Sequence, residues 1–167
     1  KTAAILDAKN PRGDDEHKLL ATAHFRIAEA AARLNQFDEA RASIAKYEKL
    51  DPENKVGLLD DLVPIRVTLL AQVDRNLEGA VELIDESLKK FPDTNVGDQL
   101  LFFKGMIYQI QRNAEAAKAA WAECAKKYPN TPMGKQCKEM AEHVRFRIDT
   151  GIPVSKLLEG ERAKLLN

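Results

Sequence analysis

Small and large apolar residues recur at helical spacing along this chain. Three alanines are each followed, four residues later, by a large apolar residue, and the pairs are Ala40 with Ile44, Ala80 with Ile84, and Ala117 with Trp121. Residues four apart lie on the same face of an α-helix, one turn from each other. The pattern therefore predicts three helices, each with an apolar face that packs against other helices.

A longer period surrounds these helices. Prolines end successive helical patterns at intervals of 41, 40 and 37 residues, at Pro11, Pro52, Pro92 and Pro129. Twelve residues before each alanine lies a small residue: Ala28, Thr68 or Gly105. Short polar connectors at 35–36, 74–76 and 112–113 force the flanking helices to be antiparallel neighbours. We expect helical hairpins in which the small residue lets the second helix approach at its alanine, while the large residue packs against the neighbouring pair.

This pattern resembles the tetratricopeptide repeat, whose signature is Trp-x2-Leu-Gly-x2-Tyr, then Ala-x3-Phe, then a proline. Repeat one matches best in its second half, and repeat three keeps the family's glycine and tyrosine as Gly105 and Tyr108. Repeat two is poorer, with Ala71 for the tyrosine and Pro64 near the family's tryptophan position. A helix tolerates proline only in its first turn, so we expect this one to start near Asp61. The alternative is an ordinary helical bundle with regular prolines.

The resemblance implies an all-α fold, a right-handed superhelical solenoid of antiparallel helix pairs with about nine helices in one domain, 1–167. Its expected parts are the second helix of a truncated repeat and a loop (1–16), repeat one (17–54, with its motif from 21), repeat two (55–94), repeat three (95–131), a following helix (132–150) and a C-terminal capping helix (154–166). A composition rich in Ala, Leu, Glu, Lys and Arg favours helix throughout.

Charge and motif content argue against several function classes. Lysine plus arginine equals aspartate plus glutamate at 26 each, without a basic run, so we predict no nucleic-acid partner. No stretch reaches the ~20 apolar residues of a membrane span, and membrane insertion is not expected. His17, His24 and His143 stand outside any motif, and His24 is interpreted as a packing residue. We predict no catalytic residues, no enzyme activity and no cofactor.

Acidic clusters and cysteines are the remaining candidates for chemistry. Asp14 to Glu16 and Asp60 with Asp61 each precede a predicted helix, so we interpret them as capping and dipole-complementing residues and predict no metal site. Cys124 and Cys137 should lie on helix faces that pack together. We expect two buried reduced thiols there rather than a disulfide, and the redox compartment stays open.

The family resemblance implies that first helices line a concave surface where a protein or peptide binds. The positions three before and one after each small residue are Phe25, Glu29, Ile65, Leu69, Phe102 and Met106. Five of these six are apolar, which favours an apolar peptide or the amphipathic helix of a partner. Arg26, Arg33 and Arg66 could orient acidic flanks. The alternative is that adjacent helices or the chain's own tail bury these residues.

Three functional hypotheses follow. The first is a non-enzymatic protein-interaction scaffold. The second is a non-catalytic accessory domain of a larger enzyme or complex, and the third is self-association through exposed repeat ends. The endings Phe91-Pro92-Asp93-Thr94 and Tyr128-Pro129-Asn130-Thr131 are similar to those of tetratricopeptide proteins of the bacterial cell envelope, which favours that compartment over the cytoplasm.

Overall fold

The chain is all-helical throughout the part that its computed structural model describes, residues 13–149, with side chains described up to residue 143. Seven α-helices follow one another in this part: α1 Asp14–Arg33, α2 Phe37–Leu50, α3 Val63–Thr68, α4 Leu77–Lys90, α5 Gly97–Ile110, α6 Ala114–Lys127 and α7 Pro132–Asp149. A π-helix, Leu69–Val73, continues α3. The predicted all-α class is confirmed, and the predicted helices at 1–9 and 154–166 lie outside the described residues.

The chain divides into two compact units, unit 1 (Lys1–Val96) and unit 2 (Gly97–Asn167). In unit 1, α1 pairs with α2 and α3 pairs with α4; in unit 2, α6 packs against both α5 and α7. The α3 helix begins at Val63, two residues after the expected start at Asp61, and Pro64 falls in its first turn. The missing N–H of a proline costs nothing there, so the helix tolerates it.

Each helical hairpin turns through one residue in the left-handed backbone region. These residues are Asn35, Arg75 and Arg112, with φ of 57°, 57° and 59°. All three stand five residues before the alanine of their repeat, so the backbone repeats with the same register as the sequence. Asparagine adopts this conformation readily, whereas an arginine pays roughly 1 kcal/mol for it.

Side-chain caps begin the second helices of repeats two and three. The Oδ1 atoms of Asn76 and Asn113 accept hydrogen bonds from the N–H groups of Gly79 and Ala116, at 2.9 and 3.1 Å. Gln36 holds the same place in repeat one and makes no such bond. Since a free N–H at a helix start needs an acceptor, these asparagines stabilise α4 and α6.

We expect Asn113→Ala to lower the free energy of unfolding by about 1 kcal/mol, because the Ala116 N–H loses its acceptor. Urea unfolding followed by circular dichroism measures this change. Gln36→Ala is the matched control and should change stability by less than about 0.5 kcal/mol. Equal losses in both variants would show that the asparagine cap is not the cause.

The core of unit 1 lies between α1, α2 and the start of the second hairpin. Its buried members are Ala21, Phe25, Ala28, Ile44, Tyr47, Leu62 and Leu69. The edge of the Phe25 ring meets Tyr47, with ring centroids 6.5 Å apart. Alanine at positions 28 and 40 is fully buried, so the two helices of repeat one approach closely there.

A buried carboxylate organises the connector between repeats one and two. Asp51 accepts hydrogen bonds from the N–H groups of Lys55 and Val56, at 2.7 and 2.9 Å, and from the Tyr47 hydroxyl at 3.0 Å. The Tyr47 oxygen in turn accepts the N–H of Leu58 at 3.2 Å. Burial, followed by the hydrogen bond to Asp51, raises the pKa of Tyr47 to about 12. The connector is therefore held by α2 itself.

In unit 2, the small residue of α5 faces the large residue of α6. Trp121 is fully buried, and a Cβ added to Gly105 would overlap its indole ring. The indole N–H donates to the carbonyl of Phe102 at 3.2 Å. Trp121 occupies the space that Gly105 leaves within its own pair, because only glycine lacks a Cβ.

The cysteine expectation was wrong. Cys124 on α6 and Cys137 on α7 form a disulfide, with their Cα atoms 6.0 Å apart. The short connector makes α6 and α7 neighbours, and both cysteines face the buried side of that pair. A Cα separation near 6 Å is typical of disulfides, so the packing that the sequence indicated also permits the bond.

Candidate functional site

The apolar residues predicted to line a groove in unit 1 are largely core residues. Phe25 and Leu69 are each only 5 % exposed and belong to the buried cluster of unit 1. Ile65 is half-buried and packs against the same cluster. These three side chains therefore stabilise unit 1, and adjacent helices cover them, which was the alternative that the sequence left open.

The charged candidates of unit 1 already have carboxylate partners. Glu29 accepts from Arg26 at 3.1 Å and from Arg33 at 2.7 Å along the exposed side of α1. Arg66 on α3 pairs with Glu48 on α2, and burial lowers the pKa of its guanidinium. An acidic segment of a partner would have to compete with Glu29 and Glu48 for these arginines.

The π-helix changes the register of repeat two. In repeats one and three, the N–H of Gln36 and of Asn113 bonds to a carbonyl five residues earlier, at 2.8 and 2.9 Å. The corresponding N–H of Asn76 bonds to Leu70, six residues earlier, at 2.9 Å. One additional residue is thus accommodated in the π-helix, which is how such a bulge forms.

Positions before the bulge therefore shift by one. Val67, rather than Thr68, stands where repeats one and three have Ala28 and Gly105, and it is buried in the same way. Thr68 is half-buried and donates its hydroxyl to the Pro64 carbonyl at 2.9 Å. The counterparts of Phe25 and Glu29 in repeat two are accordingly Pro64 and Thr68 instead of Ile65 and Leu69. A count of residues cannot detect a π-helix, so the sequence missed this shift.

The remaining packing positions are buried or half-buried. Ala80, Ile84 and Ala117 are fully buried, and Ile44 is nearly so. Tyr108 is half-buried on α5, where the Lys104 ammonium lies 6.0 Å from its ring centre. The alanines of α2, α4 and α6 are therefore buried on the helix faces that the spacing predicted.

In unit 2, α5 carries a row of apolar side chains that its own unit leaves partly uncovered. Phe102 and Met106 are half-buried, and Ile110, one turn further, is 62 % exposed. We call these three residues, which follow one another at intervals of four, the α5 stripe. Phe103 extends it sideways, with its ring centre 6.4 Å from that of Phe102. Sequence reasoning named Phe102 and Met106 and missed Ile110, which the same spacing of four would have found.

The histidines and acidic clusters were the remaining candidates for a metal site. In the part of the chain that the structure describes, no group of three His, Cys, Asp or Glu side chains could hold a metal ion. His24 is buried on α1. Asp14, Asp15 and Glu16 lie in the first turn of that helix, where their charges complement its dipole as predicted, but the N-cap is Gly13 and no side chain caps the helix. None of the helices described is long and apolar enough to cross a membrane.

The capping role predicted for Asp60 and Asp61 was wrong. The α3 helix starts after Leu62 without a side-chain cap. Asp60 instead accepts the Thr94 hydroxyl at 2.8 Å, and burial raises the pKa of Asp61, beside Asn95. Both carboxylates therefore tie the connector of unit 1 to the segment after α4, because α3 begins too late for them to reach its first amides.

A cleft of about 670 Å³ opens in unit 1 between α1, the end of α2 and the connector. Its charged lining mixes both signs, with Lys18, Lys49 and Lys55 near Asp14 and Glu53. Lys55 pairs with Glu53 at 3.0 Å, and the Asp51 carboxylate is saturated by the connector. The cleft thus has no concentrated charge that would select a ligand.

Comparison with known families agrees with the hairpin geometry. Models of the tetratricopeptide repeat match residues 21–54, which span most of α1 and all of α2, and residues 102–131, which span most of α5 and all of α6. Neither the curated proteins nor the solved structures yielded a match. The matched segments contain two of the pairs from which the repeat was inferred, Ala40 with Ile44 and Ala117 with Trp121. The chain therefore contains tetratricopeptide repeats at residues 21–54 and 102–131.

Proposed function

We propose that this protein is a non-catalytic interaction module and that it binds an apolar peptide or amphipathic helix of a partner protein through the α5 stripe. Tetratricopeptide repeats generally mediate protein–protein interaction, and two of them are present. The observation that carries the proposal is the exposed Ile110, in line with the half-buried Phe102 and Met106.

The stripe differs from the isolated apolar residues that any surface contains. Its three side chains cover two turns of one helix, about 12 Å, which is the length over which an amphipathic helix presents apolar residues at the same spacing. An adjacent face of α5 packs on Trp121 at Gly105, which holds the helix in place. Met106 provides a side chain that adapts to the shape of a ligand.

The contact at the α5 stripe is expected to be apolar, because its side chains are Phe102, Met106 and Ile110. Burying apolar area stabilises such a complex by roughly 25 cal/mol per Å², so the α5 stripe would supply most of the affinity.

A site-specific cross-linking experiment tests this proposal. A photoreactive amino acid replaces Ile110 in one variant and Glu123, exposed on α6 of the same unit, in the other. After irradiation in the native source, we expect a discrete protein adduct from position 110 and none from position 123. Equal adducts at both positions would contradict the proposal that the partner binds at the α5 stripe.

Met106→Glu and Met106→Leu form the matched pair for affinity. The glutamate should lower the partner's affinity at least tenfold, because a charge would be buried against an apolar ligand, while the leucine should change it less than threefold. Circular dichroism must show parental helicity in both. If a folded Met106→Glu variant recovered the cross-linked partner as well as the parent does, the α5 stripe would not be part of the binding surface.

A further inference from the structure

The disulfide of unit 2 occupies a position that repeat one also uses for a tie to the following segment. Seven residues after the repeat's alanine stand Tyr47, Ser87 and Cys124, all buried. In repeat one, Tyr47 bonds to Asp51 and Leu58 of the connector that follows. In repeat three, Cys124 is joined covalently to Cys137 of the helix that follows. In repeats one and three, the same place in the register thus joins a second helix to the next segment, by hydrogen bonds in repeat one and by a disulfide in repeat three.

The α7 helix has little other deep packing within its described side chains. From 132 to 143, only Gly134 and Cys137 are buried, while Met133, Met140 and Ala141 are half-buried. The α5 helix on the other side of α6 buries Leu100, Leu101 and Ile107. Since half-buried residues contribute less than buried ones, the sulfur–sulfur bond is the main deep attachment of the described part of α7.

We propose that the Cys124–Cys137 bond is a buried staple that forms while the chain folds in an oxidising compartment and that holds α7 on repeat three. Its formation removes two electrons and two protons from the two thiols, and a disulfide oxidant accepts them and becomes a dithiol. Such bonds persist in secreted, periplasmic and extracellular proteins and are rare where cellular thiols keep cysteines reduced.

Burial determines when the bond can form and how long it lasts. Both cysteines are fully covered in the folded unit, so neither an oxidant nor a reductant reaches the sulfurs without local opening. The oxidant must therefore act before packing is complete. Once formed, the bond resists reduction in the native protein and keeps α7 attached to α6.

The first measurement is the thiol content of the full chain purified from its native source. The protein is quenched in acid, denatured and treated with a maleimide, and its mass is then measured. We expect no adduct without a reductant and two adducts after reduction in denaturant. Two adducts without any reductant would overturn the proposal, because the staple would not exist in the native protein.

Hydrogen exchange tests the mechanical role of the bond. Protein that has been reduced in denaturant and refolded without oxidant is compared with the oxidised protein. We expect amides within 136–142 to exchange on the order of a hundredfold faster in the reduced protein, while amides of α2 stay unchanged. Unchanged protection at 136–142 would show that packing alone holds α7.

The double variant Cys124→Ala/Cys137→Ala is the control for effects of the reductant itself. Its exchange at 136–142 should equal that of the reduced parent and should not respond to reductant. If the variant were protected as well as the oxidised parent, the bond would not be the attachment and the proposal would fail. This outcome is independent of partner binding at the α5 stripe.

Discussion

Replacing Gly105 with alanine is expected to destabilise unit 2 by about 2 kcal/mol, although alanine is the better helix former. The added Cβ would overlap the indole ring of Trp121, which is fully buried and cannot swing away without breaking its hydrogen bond to the Phe102 carbonyl. The overlap outweighs the gain of roughly 1 kcal/mol that alanine has over glycine in a helix. Urea unfolding, followed by tryptophan fluorescence, measures the change directly.

A double-mutant cycle identifies the cause. Trp121→Phe alone should also destabilise unit 2, by roughly 2 kcal/mol, because a cavity appears and the carbonyl of Phe102 loses its donor. Combined with Gly105→Ala, it should cost at least about 1 kcal/mol less than the sum, since the smaller ring leaves room for the methyl group. Circular dichroism follows unfolding in variants without the tryptophan. If the losses of stability in the two single variants were simply additive, positions 105 and 121 would not be in direct contact.

Replacing Asp51 with alanine is expected to lower the stability of unit 1 by about 3 kcal/mol. The carboxylate satisfies two backbone amides, at Lys55 and Val56, and the Tyr47 hydroxyl, and all three donors would lose their acceptor within a partly buried connector. Glu53→Ala, at an exposed position beside it, should change stability by less than about 0.5 kcal/mol. A loss at Asp51 no larger than that of the control would show that the connector does not depend on this network.

The same network predicts a dependence on high pH. The pKa of Tyr47 is raised to about 12 in the folded protein, whereas an unfolded tyrosine titrates near 10. Between these values the folded chain holds one more proton than the unfolded chain, so stability is fully present below pH 10 and falls as pH rises toward 12. Tyr47→Phe should remove this part of the decline. Unfolding free energies at pH 9, 10 and 11 for both proteins provide the test.

The candidate site shows which structural features residue spacing predicts and which it does not. Phe102 and Met106 were predicted at positions where α5 leaves them partly exposed, because helix periodicity identifies a face. The same rule named Phe25 and Leu69, which the core of unit 1 buries. Periodicity locates the apolar side of a helix, but it does not reveal whether another helix or solvent covers that side.

The amino-acid sequence by itself determined the helical hairpins and the tetratricopeptide-type repeats at 21–54 and 102–131, because alanines, large apolar residues and prolines at fixed spacing are local signals. Only the tertiary structure decided the rest. The π-helix at Leu69–Val73 moved the register of repeat two by one residue, and the approach of α6 and α7 joined Cys124 to Cys137. The π-helix depends on backbone hydrogen bonds, and the disulfide depends on the distance between two packed helices. Neither is encoded in the order of apolar and polar residues.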